Sequence, residues 1–132
     1  LGFWSYADPF MSDGMLHFAI WKDGGMATVA YRKNGLTAVT SEREGEFTTR
    51  AFTMPQRGIA LNADARDGWI EVQVLDESGT PVEDAQSRIE KKDGASIPLA
   101  WSAKTLASLA GKSCRLRIRM EKAMIYSIEI AP

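Results

Sequence analysis

A chain of 132 residues, 45% of them hydrophobic, can fill one core without disulfide or metal staples. A formal net charge of -1 lacks the basic footprint of a nucleic-acid binder, and the single cysteine, Cys114, excludes an internal disulfide and a cysteine-rich zinc site. No run reaches the roughly 18 consecutive apolar residues of a membrane-spanning helix, so the expectation is a soluble chain with no nucleic-acid or membrane partner, no metal and no cofactor.

Residues 1–14 are aromatic (Phe3, Trp4, Tyr6, Phe10) but unpatterned, and they lack the basic-then-apolar layout of a signal peptide. They read as a lead-in segment from the junction with a missing N-terminal domain, with turn signals at Asp8-Pro9 and Ser12-Asp13-Gly14. On that reading any secretion signal lies in the missing part, and the compartment stays open.

From residue 15 the pattern changes. Leu16, Phe18 and Ile20 alternate with His17, Ala19 and Trp21, and Asp23-Gly24-Gly25 turns the chain into a second strand over 26–32. Lys33-Asn34-Gly35 is another tight-turn signal, because Asn and Gly tolerate positive φ. Strands are expected over 36–40, 46–52 and 59–64, separated by the charged turn 41–45 and the break at 55–58. After Arg66-Asp67-Gly68 comes the clearest strand, with Ile70, Val72 and Val74 on one face and Trp69, Glu71 and Gln73 on the other.

A turn over 76–81 closes that strand, and the charged, weakly patterned stretch 82–96 reads as a long surface loop. Ile97, Leu99 and Trp101 alternate again, although Pro98 marks an edge strand or a bulge. Residues 105–110 can make a helical turn that Gly111 stops. The last two strands span 113–120 and 124–131; in the first, Cys114, Leu116, Ile118 and Met120 oppose Arg115, Arg117 and Arg119. Short strands with turns every eight to twelve residues or so predict an all-β, antiparallel two-sheet β-sandwich, jelly-roll and concanavalin-like, as a single domain over 1–132. Its expected core is Ile70, Val72, Val74, Leu116, Ile118, Met120, Tyr126 and Ile128.

Several segments also occur in a familiar order. These are Tyr31-Arg32-Lys33-Asn34-Gly35-Leu36, Glu46-Phe47-Thr48-Thr49-Arg50, Ile59-Ala60-Leu61-Asn62, Gly68-Trp69-Ile70-Glu71-Val72-Gln73-Val74-Leu75-Asp76 and Gly79-Thr80-Pro81-Val82. Pro98-Leu99-Ala100-Trp101, residues 106–112, Arg115-Leu116-Arg117-Ile118 and Ile125-Tyr126-Ser127-Ile128 follow. Together they resemble the C-terminal β-sandwich of glycoside hydrolases built as a five-bladed propeller plus a sandwich, the invertase and fructosidase type and their bacterial relatives. The resemblance covers about residue 30 to the C-terminus and lies in the order of the motifs. Leu36 stands where that family carries an aromatic residue, and Glu83-Asp84-Ala85 lacks its Gly-aromatic element. The resemblance implies a non-catalytic accessory domain that packs against and supports an N-terminal propeller absent from this chain. The catalytic carboxylates of such enzymes belong to the propeller and map onto no residue here.

The residues themselves offer little chemistry. Glycoside hydrolysis needs two facing carboxyl groups, one with a raised pKa, whereas the acids here sit in turns (Asp64, Asp67, Asp76, Glu77, Asp93) or on wet strand faces (Glu71, Glu129). His17 is the sole histidine and reads as a solvated or hydrogen-bonded strand residue rather than a metal ligand or a triad member. Gly24-Gly25 and Gly35 precede strands, unlike phosphate cradles, which open onto helix N-termini. No catalytic residue and no metal site is assigned, and a small enzyme in its own right is the weakest reading. Trp69, sharing its face with Glu71 and Gln73, is the candidate carbohydrate contact, since aromatic rings stack on sugar C–H groups; it supports the alternative of an independent carbohydrate-binding module. Trp101 reads as core, and Trp4 and Trp21 as packing against a neighbouring domain or the lead-in. The Arg115, Arg117, Arg119 stripe reads as a solvated charge ladder partnered by Glu71 and Glu129.

Overall fold

The computed structural model describes residues 8–132; the expectations on Phe3, Trp4 and Tyr6 fall outside them. The chain forms two compact units, Leu1–Thr37 and Ala38–Pro132.

In the first unit, β1 (Phe10–Ser12), β2 (Met15–Lys22) and β3 (Gly25–Arg32) form an antiparallel sheet in the order β1-β2-β3. Two Asp-Gly pairs make its hairpins. Asp13 and Gly14 have φ of 52° and 71°, and Asp23 and Gly24 have φ of 52° and 80°, with Ser12 opposite Met15 and Lys22 opposite Gly25. Positive φ at both central residues is the signature of the two-residue type I′ turn, whose twist matches that of the flanking strands. Ser12-Asp13-Gly14 therefore closes a hairpin, and β1 lies inside the stretch read as an unpatterned lead-in segment. These three strands belong to neither sheet of the sandwich.

The second unit is the sandwich. Its strands are β4 (Val39–Ser41), β5 (Gly45–Thr48), β6 (Phe52–Thr53), β7 (Ile59–Asp64), β8 (Trp69–Leu75), β9 (Pro81–Glu90), β10 (Asp93–Pro98), β11 (Ser113–Glu121) and β12 (Ala123–Ile130), with helix α1 (Ala103–Leu109) between β10 and β11. One sheet has the order β10-β7-β12-β4 and the other β5-β11-β8-β9, with β6 continuing the edge against β11. All pairings are antiparallel. The connections β4 to β5, β7 to β8, β9 to β10 and β11 to β12 each step from one sheet to the other at the same end, which is the eight-stranded jelly-roll topology.

The inner faces close a single core. Ile70, Val72 and Val74 of β8 and Leu116 and Ile118 of β11 are wholly buried and Met120 nearly so, packed with Ile59, Leu61 and Ala63 of β7 and with Ile125 of β12. Cys114 is buried among them, as its place on the apolar face predicts. Trp101 and Leu106 pack on the core's margin. Ser102 caps α1 by accepting from the Thr105 N–H at 3.0 Å, and Gly111, at φ 77°, ends the turn that follows.

Three expectations are corrected. Residues 82–96 are not a loop: β9 and β10 occupy most of that stretch and pair with β8 and β7. Ala85, Ser87 and Ile89 point inward and are buried while Asp84, Gln86, Arg88 and Glu90 are exposed, so the period of two is present but small side chains carry it. Tyr126 and Ile128 are not core. Ile128 is 38% exposed: the bulge between Ile125 and Ser127 sets it opposite Leu61, but β4 flanks β12 only at 123–125, which leaves Ile128 beyond the paired stretch, at the sheet's edge. Glu129 lies on β12, in the opposite sheet from β11, and cannot partner the arginine stripe. Pro98, by contrast, ends the edge strand β10 next to a bulge between Gly94 and Ile97, as its missing N–H requires.

Candidate functional site

Trp69, Glu71 and Gln73 stand on the outer face of the β5-β11-β8-β9 sheet, and the register lays out their neighbours. Trp69 lies between Glu90 and Glu121, Glu71 between Arg88 and Arg119, and Gln73 between Gln86 and Arg117; across β11, Arg119 faces Glu46 and Arg117 faces Thr48. Cross-strand neighbours on one face lie about 4.5–5.5 Å apart at Cβ, so the face is a lattice of opposite charges around one indole.

The indole is engaged. Trp69 Nε1 donates to Glu121 Oε2 at 3.3 Å, and the Arg88 guanidinium carbon sits 4.3 Å from the ring centroid, with that of Arg119 at 5.9 Å. The cation–π geometry holds Arg88 where a sugar would stack. Glu71 Oε2 accepts from Arg88 at 3.4 Å, its Oε1 lies 3.5 Å from Arg119, and Arg88 Nε donates to Glu90 at 2.5 Å. Arg119 also pairs with Glu44 and lies 3.9 Å from Glu46. Hydrogen bonding to Glu90, ahead of that to Glu71, holds the Arg88 pKa above its ordinary value, and the Glu44 hydrogen bond does the same for Arg119.

Gln73 has a different task. Its Nε2 lies 3.0 Å from the Val74 carbonyl, 2.9 Å from that of Val82 and 3.3 Å from that of Ala85, across the bulge that shifts register between Gln73 and Leu75. The amide thereby satisfies main-chain acceptors freed by the bulge, leaving its N–H groups committed.

The arginine stripe divides. Arg119 is the centre of the ion-pair lattice, whereas Arg117 Nε is buried without a hydrogen-bond partner among the described residues. An open depression of about 610 Å³ runs beside them, lined by Glu44, Gly45, Glu46, Arg117 and Arg119. A smaller recess, about 210 Å³, lies at the crossover end of the sandwich, where Glu42, Asp64, Asp67 and Lys122 converge. Asp64 is spoken for there: Arg66 bonds it through Nη2 at 2.6 Å and through Nε at 3.0 Å. Among the described residues no group of three or more His, Cys, Asp or Glu side chains is placed to hold a metal ion.

Two other expected residues are placed. His17 stacks on Phe10, with centroids 5.1 Å apart and planes 9° from parallel, and its Nε2 lies 3.3 Å from the Ser12 carbonyl; this is the hydrogen-bonded strand histidine the alternation indicates. Asp76 is pulled below the ordinary carboxyl value of 3.8, first by the Ser78 hydroxyl and then by the Thr80 N–H. Its Oδ1 accepts from Ser78 Oγ at 2.6 Å and from the Ser78 and Thr80 N–H groups at 2.9 Å each. That direction suits a turn-forming acid and is opposite to that of a general acid. Arg88 falls in the weakly patterned stretch 82–96, and only the pairing of β9 with β8 sets it over Trp69.

The architecture is that of an all-β jelly-roll sandwich. Comparison with known protein families, with curated proteins and with solved structures finds no match to this chain.

Proposed function

We propose that this chain is a non-catalytic accessory domain of a glycoside-hydrolase polypeptide, which packs against and supports a catalytic propeller N-terminal to it. The observation that carries the reading is one face of the first unit's sheet. Phe10, Trp21 and Met26 are 53%, 55% and 63% exposed. Met26 is registered opposite Trp21, and Phe10 opposite His17, so these side chains share one face with Ala19, Thr28 and Ala30. A three-stranded sheet with an uncovered aromatic face has too little burial to stand alone, and aromatic residues and methionine are enriched where a protein surface meets a partner. The ordered motif resemblance from residue 30 onward supplies the identity of the partner. The outer face of β8 supports the non-catalytic part, because its polar groups are consumed by one another.

The test uses the whole polypeptide encoded by the reading frame that contains this chain. Oxidative footprinting should show Trp21 and Met26 protected at least about fivefold relative to the isolated 132-residue chain, in line with a desolvated interface core. Equal labelling in the two, or a reading frame with no propeller ahead of Leu1, would refute the proposal. Glycan binding by the isolated chain that disappears in Trp69→Ala would instead assign a carbohydrate-binding module.

A further inference from the structure

β3 is an edge strand of its sheet. Among the described residues β3 has β2 as its single neighbouring strand, so at Met26, Thr28 and Ala30 the N–H and C=O groups point outward with no strand to receive them, while the Arg32 carbonyl accepts from the Gly35 N–H at 2.9 Å. The eight β2–β3 pairs run without a register shift, which makes the edge straight and regular. Along Gly25-Met26-Ala27-Thr28-Val29-Ala30-Tyr31 there is no charge and no proline, the strand's one charge being Arg32 at its end, and no bulge shifts its register against β2.

We propose that β3 pairs antiparallel with β3 of a second copy of this chain, on a two-fold axis at Thr28, joining the two three-stranded sheets into one of six strands. The sequence is complementary to itself in that register. Met26 meets Ala30, Ala27 meets Val29 and Gly25 meets Tyr31, so each pair sets a larger side chain opposite a smaller one, and Thr28 meets Thr28, a favourable cross-strand pair. Residues i and 56 − i have the same parity, so each face of one sheet continues into the same face of the other. The contact is isologous and closes on itself, which limits assembly to a dimer. It is independent of the propeller reading, because it uses main-chain groups at the edge and leaves the Phe10, Trp21 and Met26 face open.

Sedimentation of the 132-residue chain over about a hundredfold range of concentration should show a reversible monomer–dimer equilibrium. Thr28→Lys and, separately, Ala30→Lys should remain monomeric, with hairpin integrity checked by Trp21 fluorescence. Under mild oxidation Thr28→Cys should form a symmetric disulfide, since facing Cβ atoms in an antiparallel pair approach the span a disulfide needs. That cross-link should form at least about tenfold faster than in Ser78→Cys, an exposed turn control, because pairing raises the effective thiol concentration. The native thiol is silent, Cys114 being buried. Monomer mass at every concentration, a dimer that survives both lysine variants, or equal cross-linking at positions 28 and 78 would each overturn the proposal.

Discussion

Gly68 separates steric from conformational reasons for a glycine. It precedes β8 at the crossover end, and a Cβ built on it would lie 1.8 Å from the Glu121 carbonyl oxygen and 2.7 Å from that of Lys122. Both obstacles are backbone, and Glu121 is held in register opposite Trp69, so neither atom can swing aside as a side chain would. Relief requires β8 and the β11–β12 corner to move apart by more than 1 Å, against a core in which Ile70 and Met120 are 0% and 2% exposed. Overpacking of this kind costs typically 1–3 kcal/mol, and the immobility of the obstacle places Gly68→Ala near the top, at about 3 kcal/mol. For a unit of this size, Ala38–Pro132, that lowers the melting midpoint by roughly 12–24 °C. Gly79→Ala is the matched control: its φ is +86° but nothing lies within 4 Å of its Cβ, so it should cost about 1 kcal/mol from backbone strain alone. Thermal unfolding followed by circular dichroism measures both. If Gly68→Ala melts within about 2 °C of the parent, the close packing of the two corners is wrong.

Other consequences can be read the same way. Leu116→Ala, at a wholly buried site, should cost about 3 kcal/mol, whereas Ile128→Ala, 38% exposed, should cost under about 1 kcal/mol; chemical denaturation of the two variants tests the corrected core. Asp76 titrates below its ordinary value in the fold, so its turn contributes stability above the unfolded value near 3.8 and loses it as pH falls through the lower folded value. Ser78→Ala should raise the Asp76 pKa in a carboxyl-carbon NMR titration, and an unchanged value would show that the hydroxyl is not its main partner. Burial pushes the Cys114 thiol up, so a thiol reagent at pH 8 should label the native protein only at the rate of unfolding; immediate labelling would mean that β11 is not enclosed.

Much of the architecture was legible in the one-dimensional pattern, because alternation and turn chemistry are local. The facing of β8 and β11 follows from Ile70, Val72 and Val74 against Trp69, Glu71 and Gln73, and from Leu116, Ile118 and Met120 against three arginines, since side chains on a strand must alternate whatever the partner. The Asp-Gly pair at 23–24 announces its hairpin for an equally local reason, the low cost of positive φ at those residues, whereas the pair at 13–14 marks a turn locally but needs β1 paired to β2 to be a hairpin. Where the pattern was carried by Ala85 and Ser87, hydrophobicity was too weak to reveal β9, although burial of those small residues is what lets the strand lie close to the core.

The candidate site was less legible. That Trp69, Glu71 and Gln73 share a face is a property of one strand and could be read directly. That Arg88 lies over the indole, that Glu71 bridges two arginines and that Gln73 secures a bulge are properties of three strands in register, decided by contacts distant in sequence. The same holds for Ile128, left at the sheet's edge by the shortness of β4, and for Glu129, set in the sheet opposite the arginines; neither has a local signature. What the sequence alone determined was which side chains lie on the same side of each strand. Which strands stand next to one another, and so which charges meet and which apolar groups stay uncovered, was decided only by the tertiary structure, because pairing energy depends on the partner and not on the strand itself.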